Sequence, residues 1–237
     1  VTTVGYPALA AGAPDAHPER VRQRIGADKD DQILLVLPGS RASEIQRLMP
    51  PFGQAVALLK QTRPGLQIVV AVAPRAAAAV KAEAAKWPYP PHLLEGEGLK
   101  QDAMRAATVA LACSGTVTTE LAMAGCPMVV AYRVSRISAF LIRRMIKTRY
   151  ITLLNIAADA AVVPERIQDD CTDEALAKAV AERLDDAGLR GRQIAEQNRA
   201  LDLLGPRKGA DPSQRAADAV IDLLKARGLS LGPTTEP

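Results

Sequence analysis

Two hydrophobic periods alternate along this chain. Short apolar runs with hardly a polar break recur, and the stretches between them bring apolar residues back every three or four positions. An unbroken apolar run marks a strand buried on both faces, which is the condition of a parallel sheet covered by helices. The pattern predicts six strands, at residues 33–37, 67–72, 92–94, 108–112, 128–132 and 151–154. Helices are predicted near 51–61, 75–86, 99–106, 116–124 and 137–146. Pro51 and Pro74 suit first helical positions, Gly125 suits the residue after a helix end, and Ser43 with Gln46 has the spacing of a capping box. The helix after the first strand is expected to break once, at Met49-Pro50-Pro51. Beyond Asn155 the alternation stops. Thr172-Asp173-Glu174 caps an Ala- and Leu-rich helix to about Leu184, two further helical stretches cover 189–203 and 211–225, and 228–237 is a tail. The fold class is α/β, a parallel sheet flanked by helices with closing C-terminal helices.

In such open sheets ligands sit outside the carboxyl ends of the strands. The first strand, Leu34-Leu35-Val36-Leu37, runs into Pro38-Gly39-Ser40-Arg41, and the fourth into Cys113-Ser114-Gly115-Thr116, with Glu120 on the helix that follows. Tyr132 and Arg133 end the fifth strand and Asn155 follows the sixth, so this topology puts all four turns on one edge. Glycine lets backbone approach a phosphate, the hydroxyls of Ser40, Ser114 and Thr116 add donors, and Arg41 presents a guanidinium beside a helix N-terminus. Two turns of this character in one chain point to a phosphorylated ligand. Glu120, one turn into its helix, can accept hydrogen bonds from two vicinal ribose hydroxyls; it is equally an acid stabilised by the helix dipole. Taken singly, Gly39-Ser40 is a turn, Arg133 a surface cation and Asn155 a cap.

Composition narrows the field without choosing within it. The chain has 237 residues, 48% of them apolar and 24% charged, enough for one large core or two modest ones. Thirty basic against 26 acidic residues is too small an excess, and seven aromatic side chains too few, for a nucleic-acid surface. Cys113, Cys126 and Cys171 form neither a metal-ligand spacing nor an even disulfide set, so no metal is expected and a reduced cytoplasmic compartment is the plain reading. His17, in a Pro-rich linker, and His92, at the start of a strand, have no acidic or nucleophilic neighbour in sequence and receive no catalytic role. No dinucleotide, Walker-type or zinc-protease spacing occurs. No stretch reaches the ~20 apolar residues of a membrane span. Val1 is not a methionine, and Val1-Thr2-Thr3-Val4-Gly5-Tyr6-Pro7 looks like a strand entered from upstream, so a fragment is expected.

A resemblance adds what spacing cannot. Leu37-Pro38-Gly39-Ser40-Arg41-Ala42-Ser43-Glu44-Ile45, then Ser114-Gly115-Thr116 with Glu120, then Pro127-Met128-Val129-Val130-Ala131-Tyr132-Arg133 resemble the lipid-A-disaccharide synthase family. Leu153-Leu154-Asn155, Val163-Pro164-Glu165 and Ile167-Gln168-Asp169-Asp170-Cys171 continue the likeness in the family's order, over nearly the whole chain. The resemblance implies a glycosyltransferase of the GT-B architecture, two Rossmann-like domains with the active site between them, moving 2,3-diacylglucosamine with inversion from UDP to 2,3-diacylglucosamine 1-phosphate. This chain matches the carboxyl-terminal, nucleotide-binding half. Residues 1–30 would be an interdomain strand and linker, 31–170 the UDP-sugar domain and 171–227 the closing helices. By position, Gly39, Ser40 and Arg41 would face the diphosphate, Ser114, Gly115 and Thr116 would line the same pocket, Glu120 would hold the ribose, and Tyr132, Arg133 and Asn155 would complete the donor site. No metal or cofactor is implied, since helix dipoles and arginine stabilise the leaving UDP. The acyl acceptor and the acidic base belong to the family's amino-terminal half.

Two motifs depart from the family's pattern. Its Gly-His-Pro is Gly5-Tyr6-Pro7 here, at an interdomain contact, and its Gly-Arg after Asn-Leu-x-Ala is Asp159-Ala160, near the donor. Another UDP-sugar enzyme of the same architecture, or a non-catalytic UDP-binding module, are the alternatives. Residues 136–147 mix Phe140, Leu141, Ile142 and Met145 with four cations, the composition of a helix on an anionic membrane surface. A half-buried helix with cations on its solvent face has the same period and is the favoured reading. The resemblance places the protein in the cytoplasm of a Gram-negative bacterium and leaves open both a peripheral position on the inner face of the inner membrane and a homo-oligomer.

Overall fold

The computed structural model describes residue 9 and residues 15–134, 149–205 and 212–227. The strand expected at the start, the 137–146 helix with its membrane-surface reading, and the 228–237 tail lie outside these residues.

Six parallel strands form one sheet in the order β3-β2-β1-β4-β5-β6. They are β1 (Ile33–Leu37), β2 (Gln67–Val72), β3 (His92–Glu95), β4 (Val109–Cys113), β5 (Met128–Tyr132) and β6 (Glu165–Ile167). Both faces of the central strands are covered, as their unbroken apolar runs require. Leu34 and Val36 of β1 join one core and Ile33, Leu35 and Leu37 the other, the period-2 division of a strand packed on both sides.

On the first face lie α2 (Ala42–Thr62), α3 (Ala77–Ala84) and α7 (Asp173–Asp185); on the second lie α1 (Pro18–Ile25), α4 (Glu97–Ala106), α5 (Thr116–Met123), α6 (Leu153–Ala158) and α8 (Ala187–Leu204). The helix α9 (Pro212–Ala226) completes the described chain. Both α7 and α8 contribute buried side chains to the cores of the sheet, Leu176 and Val180 on one face and Ala200 and Leu201 on the other.

Three local expectations give way. The α2 helix is continuous through Pro50 and Pro51, where a break was expected. Ile45, Leu48 and Met49 before the prolines and Phe52, Ala55, Val56 and Leu59 after them face one core, so shared burial outweighs the two amide donors that proline removes. The Trp87 ring packs against Gly53, where a Cβ would overlap it, and its indole N–H donates to the Met49 carbonyl at 3.1 Å. Residues 151–154 do not form the sixth strand: Thr152 caps α6, its hydroxyl accepting from Asn155 N–H, and the sixth strand is the three-residue Glu165–Ile167. The linker expected through residue 30 contains α1, which buries Val21 and Ile25 and ends on Gly26 at φ +68°.

Candidate functional site

The strand order reverses between β1 and β4, whose chains leave in opposite directions, and a crevice opens outside their carboxyl ends. It encloses about 430 Å³ and is walled by the segments that follow β1, β2, β3 and β4. Gly39, Ser40, Arg41, Ser114, Gly115, Thr116 and Glu120 all line it. The helices that follow these four strands begin at this edge, so their positive ends converge on the crevice.

The turn after β1 is shaped by Glu44. Gly39 stands at φ +106°, and a Cβ there would run into the Glu44 side chain. The Glu44 carboxylate reaches back to the start of α2 and accepts from Ser40 N–H at 3.1 Å and Arg41 N–H at 3.3 Å. This replaces the capping role expected of Ser43 and Gln46, because Arg41, two residues earlier, is the residue at which the helix begins. The Arg41 guanidinium pairs with Glu44 Oε1 at 2.9 Å while remaining 79% exposed. An exposed pair of this kind is worth about 0–1 kcal/mol, so the guanidinium exchanges readily onto a bound anion.

Across the crevice, Glu120 projects from α5 with 29% of its side chain exposed. Lys100, on α4, reaches its Oε2 at 2.8 Å and also pairs with Glu97 at 2.5 Å. Burial pulls the Lys100 pKa down, but its bonds to Glu120 and Glu97 outweigh that and raise it above the ordinary lysine value. Sequence reasoning missed Lys100 and Glu44 as site residues. The signal for Lys100 was Glu95-Gly96-Glu97-Gly98 after a strand, a small-residue turn like the two that were recognised. Among the side chains lining the crevice, Arg41 and Lys100 face Glu44, Glu97 and Glu120, one more carboxylate than cations. Glu44 already takes the Ser40 and Arg41 N–H groups, so an anion in this crevice would be drawn by Arg41 and by the helix ends after β3 and β4 rather than by net side-chain charge. Cys113 closes the wall; burial first, then the Glu44 charge, push its thiol up to about 12 against the pull of Arg41, so it stays protonated.

Three expected site residues stand apart from this crevice. Tyr132 packs against the first core, and Arg133 Nε donates to the Gln168 carbonyl at 3.3 Å beside a second cleft bounded by Pro50, Trp87 and Thr172. Asn155 lies in a helix rather than after a strand, is 1% exposed and is fully engaged: Nδ2 donates to Val163 O at 2.8 Å and Glu165 Oε1 at 2.9 Å, and Oδ1 accepts from Val163 N–H at 2.9 Å.

Known structures share this architecture. A glycosyltransferase involved in lipopolysaccharide biosynthesis superposes on 91% of this chain and 54% of its own, with a TM-score of 0.55 at 19% identity. The UDP-GlcNAc 2-epimerase from Neisseria meningitidis, solved bound to UDP-GlcNAc, covers 86% of this chain and 48% of its own, with a TM-score of 0.55 at 13% identity. The sheet order and the crevice at its reversal define one half of a GT-B glycosyltransferase fold.

The particular family follows from sequence. The model of the lipid-A-disaccharide synthetase family matches residues 1–219, and the chain belongs to that family. The lipid-A-disaccharide synthase of Rhodospirillum centenum is 42% identical over 226 residues, 95% of this chain and 56% of that protein. The chain thus spans little more than half the length of the curated relatives it matches. Among the described residues, no helix is long and apolar enough to cross a membrane.

Proposed function

We propose that this chain is the donor-binding half of a glycosyltransferase of lipid A biosynthesis. The donor is 2,3-diacylglucosamine carried on UDP, and the acceptor is 2,3-diacylglucosamine 1-phosphate. The observation that carries the reading is the meeting of two separate turns, Gly39-Ser40-Arg41 and Ser114-Gly115-Thr116, with Glu120 around one crevice at the sheet's reversal point. Backbone N–H groups at helix starts and the Arg41 guanidinium suit a diphosphate, and the Glu120 carboxylate suits a ribose diol. Residues 31–170 hold the donor, and within 171–227 the helices α7 and α8 close the domain around the same cores.

In the proposed reaction the acceptor's 6-hydroxyl oxygen attacks the anomeric carbon of the donor. The bond from that carbon to the UDP oxygen breaks with inversion, and the hydroxyl proton passes to an acidic base. The leaving UDP takes up negative charge as the bond breaks, and preorganised amides with Arg41 stabilise it without a metal. The acceptor site and the base are assigned outside these 237 residues, on the family's other half. Acyl chains on both substrates favour a peripheral position on the inner face of the inner membrane. The purified chain alone is expected to form no disaccharide from the two acylated sugars, and addition of the amino-terminal half of a relative to restore synthesis. Robust synthesis by the chain alone would contradict this division of labour.

A further inference from the structure

Among the described residues, Glu120 is bound at one oxygen only. Lys100 Nζ lies 2.8 Å from Oε2, Gln101 Nε2 donates to the same Oε2 at 3.2 Å, and no described residue bonds Oε1. Both partners come from neighbouring positions on α4, the helix after β3, whereas Glu120 stands on α5 after β4. Two elements that flank the crevice are thus joined through a single carboxylate oxygen. A carboxylate has about four acceptor directions, and this arrangement satisfies those of Oε2 within the protein while leaving those of Oε1 for a ligand.

We infer that Lys100, with Gln101, is a positioning residue for nucleotide recognition: it holds Glu120 by Oε2 so that Oε1 is presented to the ribose hydroxyls and the site selects a ribonucleotide over its 2′-deoxy counterpart. This inference rests on the donor-site reading above. The physical reason is twofold. An unanchored glutamate carries three soft torsions and loses freedom on binding, whereas an anchored one has already lost it. The ammonium also offsets the Glu120 charge that would otherwise repel a diphosphate in the same crevice. The raised pKa of Lys100 keeps that ammonium charged throughout the neutral range.

The test is calorimetric titration of the parent chain, Lys100→Met and Lys100→Arg with three probes: UDP, 2′-deoxy-UDP and inorganic pyrophosphate. The parent is expected to prefer UDP over 2′-deoxy-UDP by about tenfold, the worth of one hydrogen bond to a charged acceptor. Lys100→Met reduces this preference to less than about twofold, and Lys100→Arg, which retains the ion pair, restores most of it. The readout is a ratio within one protein, so partial unfolding of a variant does not imitate it. Equal weakening of all three probes by Lys100→Met would overturn the inference and make Lys100 a direct phosphate contact, while leaving the donor site standing. Failure of the parent to bind UDP at all would overturn the donor-site reading and this inference together.

Discussion

Replacing Glu165 by alanine is expected to lower the melting temperature of the chain by about 10 °C, the equivalent of about 4 kcal/mol in a domain of this size. Its carboxylate gathers donors from a segment ten to fourteen residues earlier: Thr152 N–H at 2.8 Å, the Thr152 hydroxyl at 2.7 Å, Asn155 Nδ2 at 2.9 Å, and Ile151 N–H at 3.1 and 3.2 Å from its two oxygens. Thr152 and Asn155 are each 1% exposed, so their donors would be left without water as a substitute. Each orphaned buried donor costs about 1–3 kcal/mol, which is how one truncation reaches a large total. The loss falls on α6 and its attachment to β6, the stretch whose sequence carries much of the family likeness. Thermal denaturation followed by circular dichroism measures it. Asn155→Ala is expected to cost a similar amount and the double variant much less than the sum, because both side chains serve one network. A melting temperature unchanged by Glu165→Ala would remove the network from the account of the fold.

Gly39→Ala carries the largest expected effect on binding among substitutions that remove no side-chain contact. At φ +106° an L residue is strained by about 1–2 kcal/mol, and its Cβ meets the Glu44 carboxylate that organises the start of α2. The turn must shift, and with it Ser40, Arg41 and the mouth of the crevice. UDP affinity is expected to fall at least about tenfold while the helix content remains that of the parent, since a misplaced phosphate contact costs more than the strain that moved it. Calorimetry paired with circular dichroism separates the two effects. Undiminished UDP affinity would mean that the β1 turn does not contact the nucleotide.

The elements legible in the sequence were those whose burial leaves no choice. The runs at Gln67–Val72 and Met128–Tyr132 coincide with β2 and β5 because every residue but an end one is buried, and only a central parallel strand imposes that pattern. The edge strand β6 is three half-buried residues, Glu165, Arg166 and Ile167, with no apolar run to announce it. Ile151-Thr152-Leu153-Leu154 has strand-like residues, but a threonine cap and the Glu165 carboxylate fix it as a helix start, and those partners lie too far along the chain for a local reading. Pro50 and Pro51 misled for the same reason: packing on both sides of them, invisible locally, holds α2 straight through.

The crevice shows the same division. Gly39, Ser40, Arg41, Ser114, Gly115, Thr116 and Glu120 were legible because strand order alone brings those turns together. Lys100 and Glu44 were not, since each matters through one contact across the crevice or back along a turn, and a contact has no signature in a single sequence. Asn155 was attached to the wrong element, and its place in the Glu165 network follows from that.

Isothermal titration of UDP into this chain, beside Arg41→Ala and Glu120→Ala, tests the central claim most directly. The account predicts measurable binding by the parent and losses of about tenfold or more in each variant, as expected for a charge-assisted contact to phosphate and another to ribose. Binding by the parent that neither substitution weakens would contradict it, because the nucleotide would then lie elsewhere than in the crevice between β1 and β4.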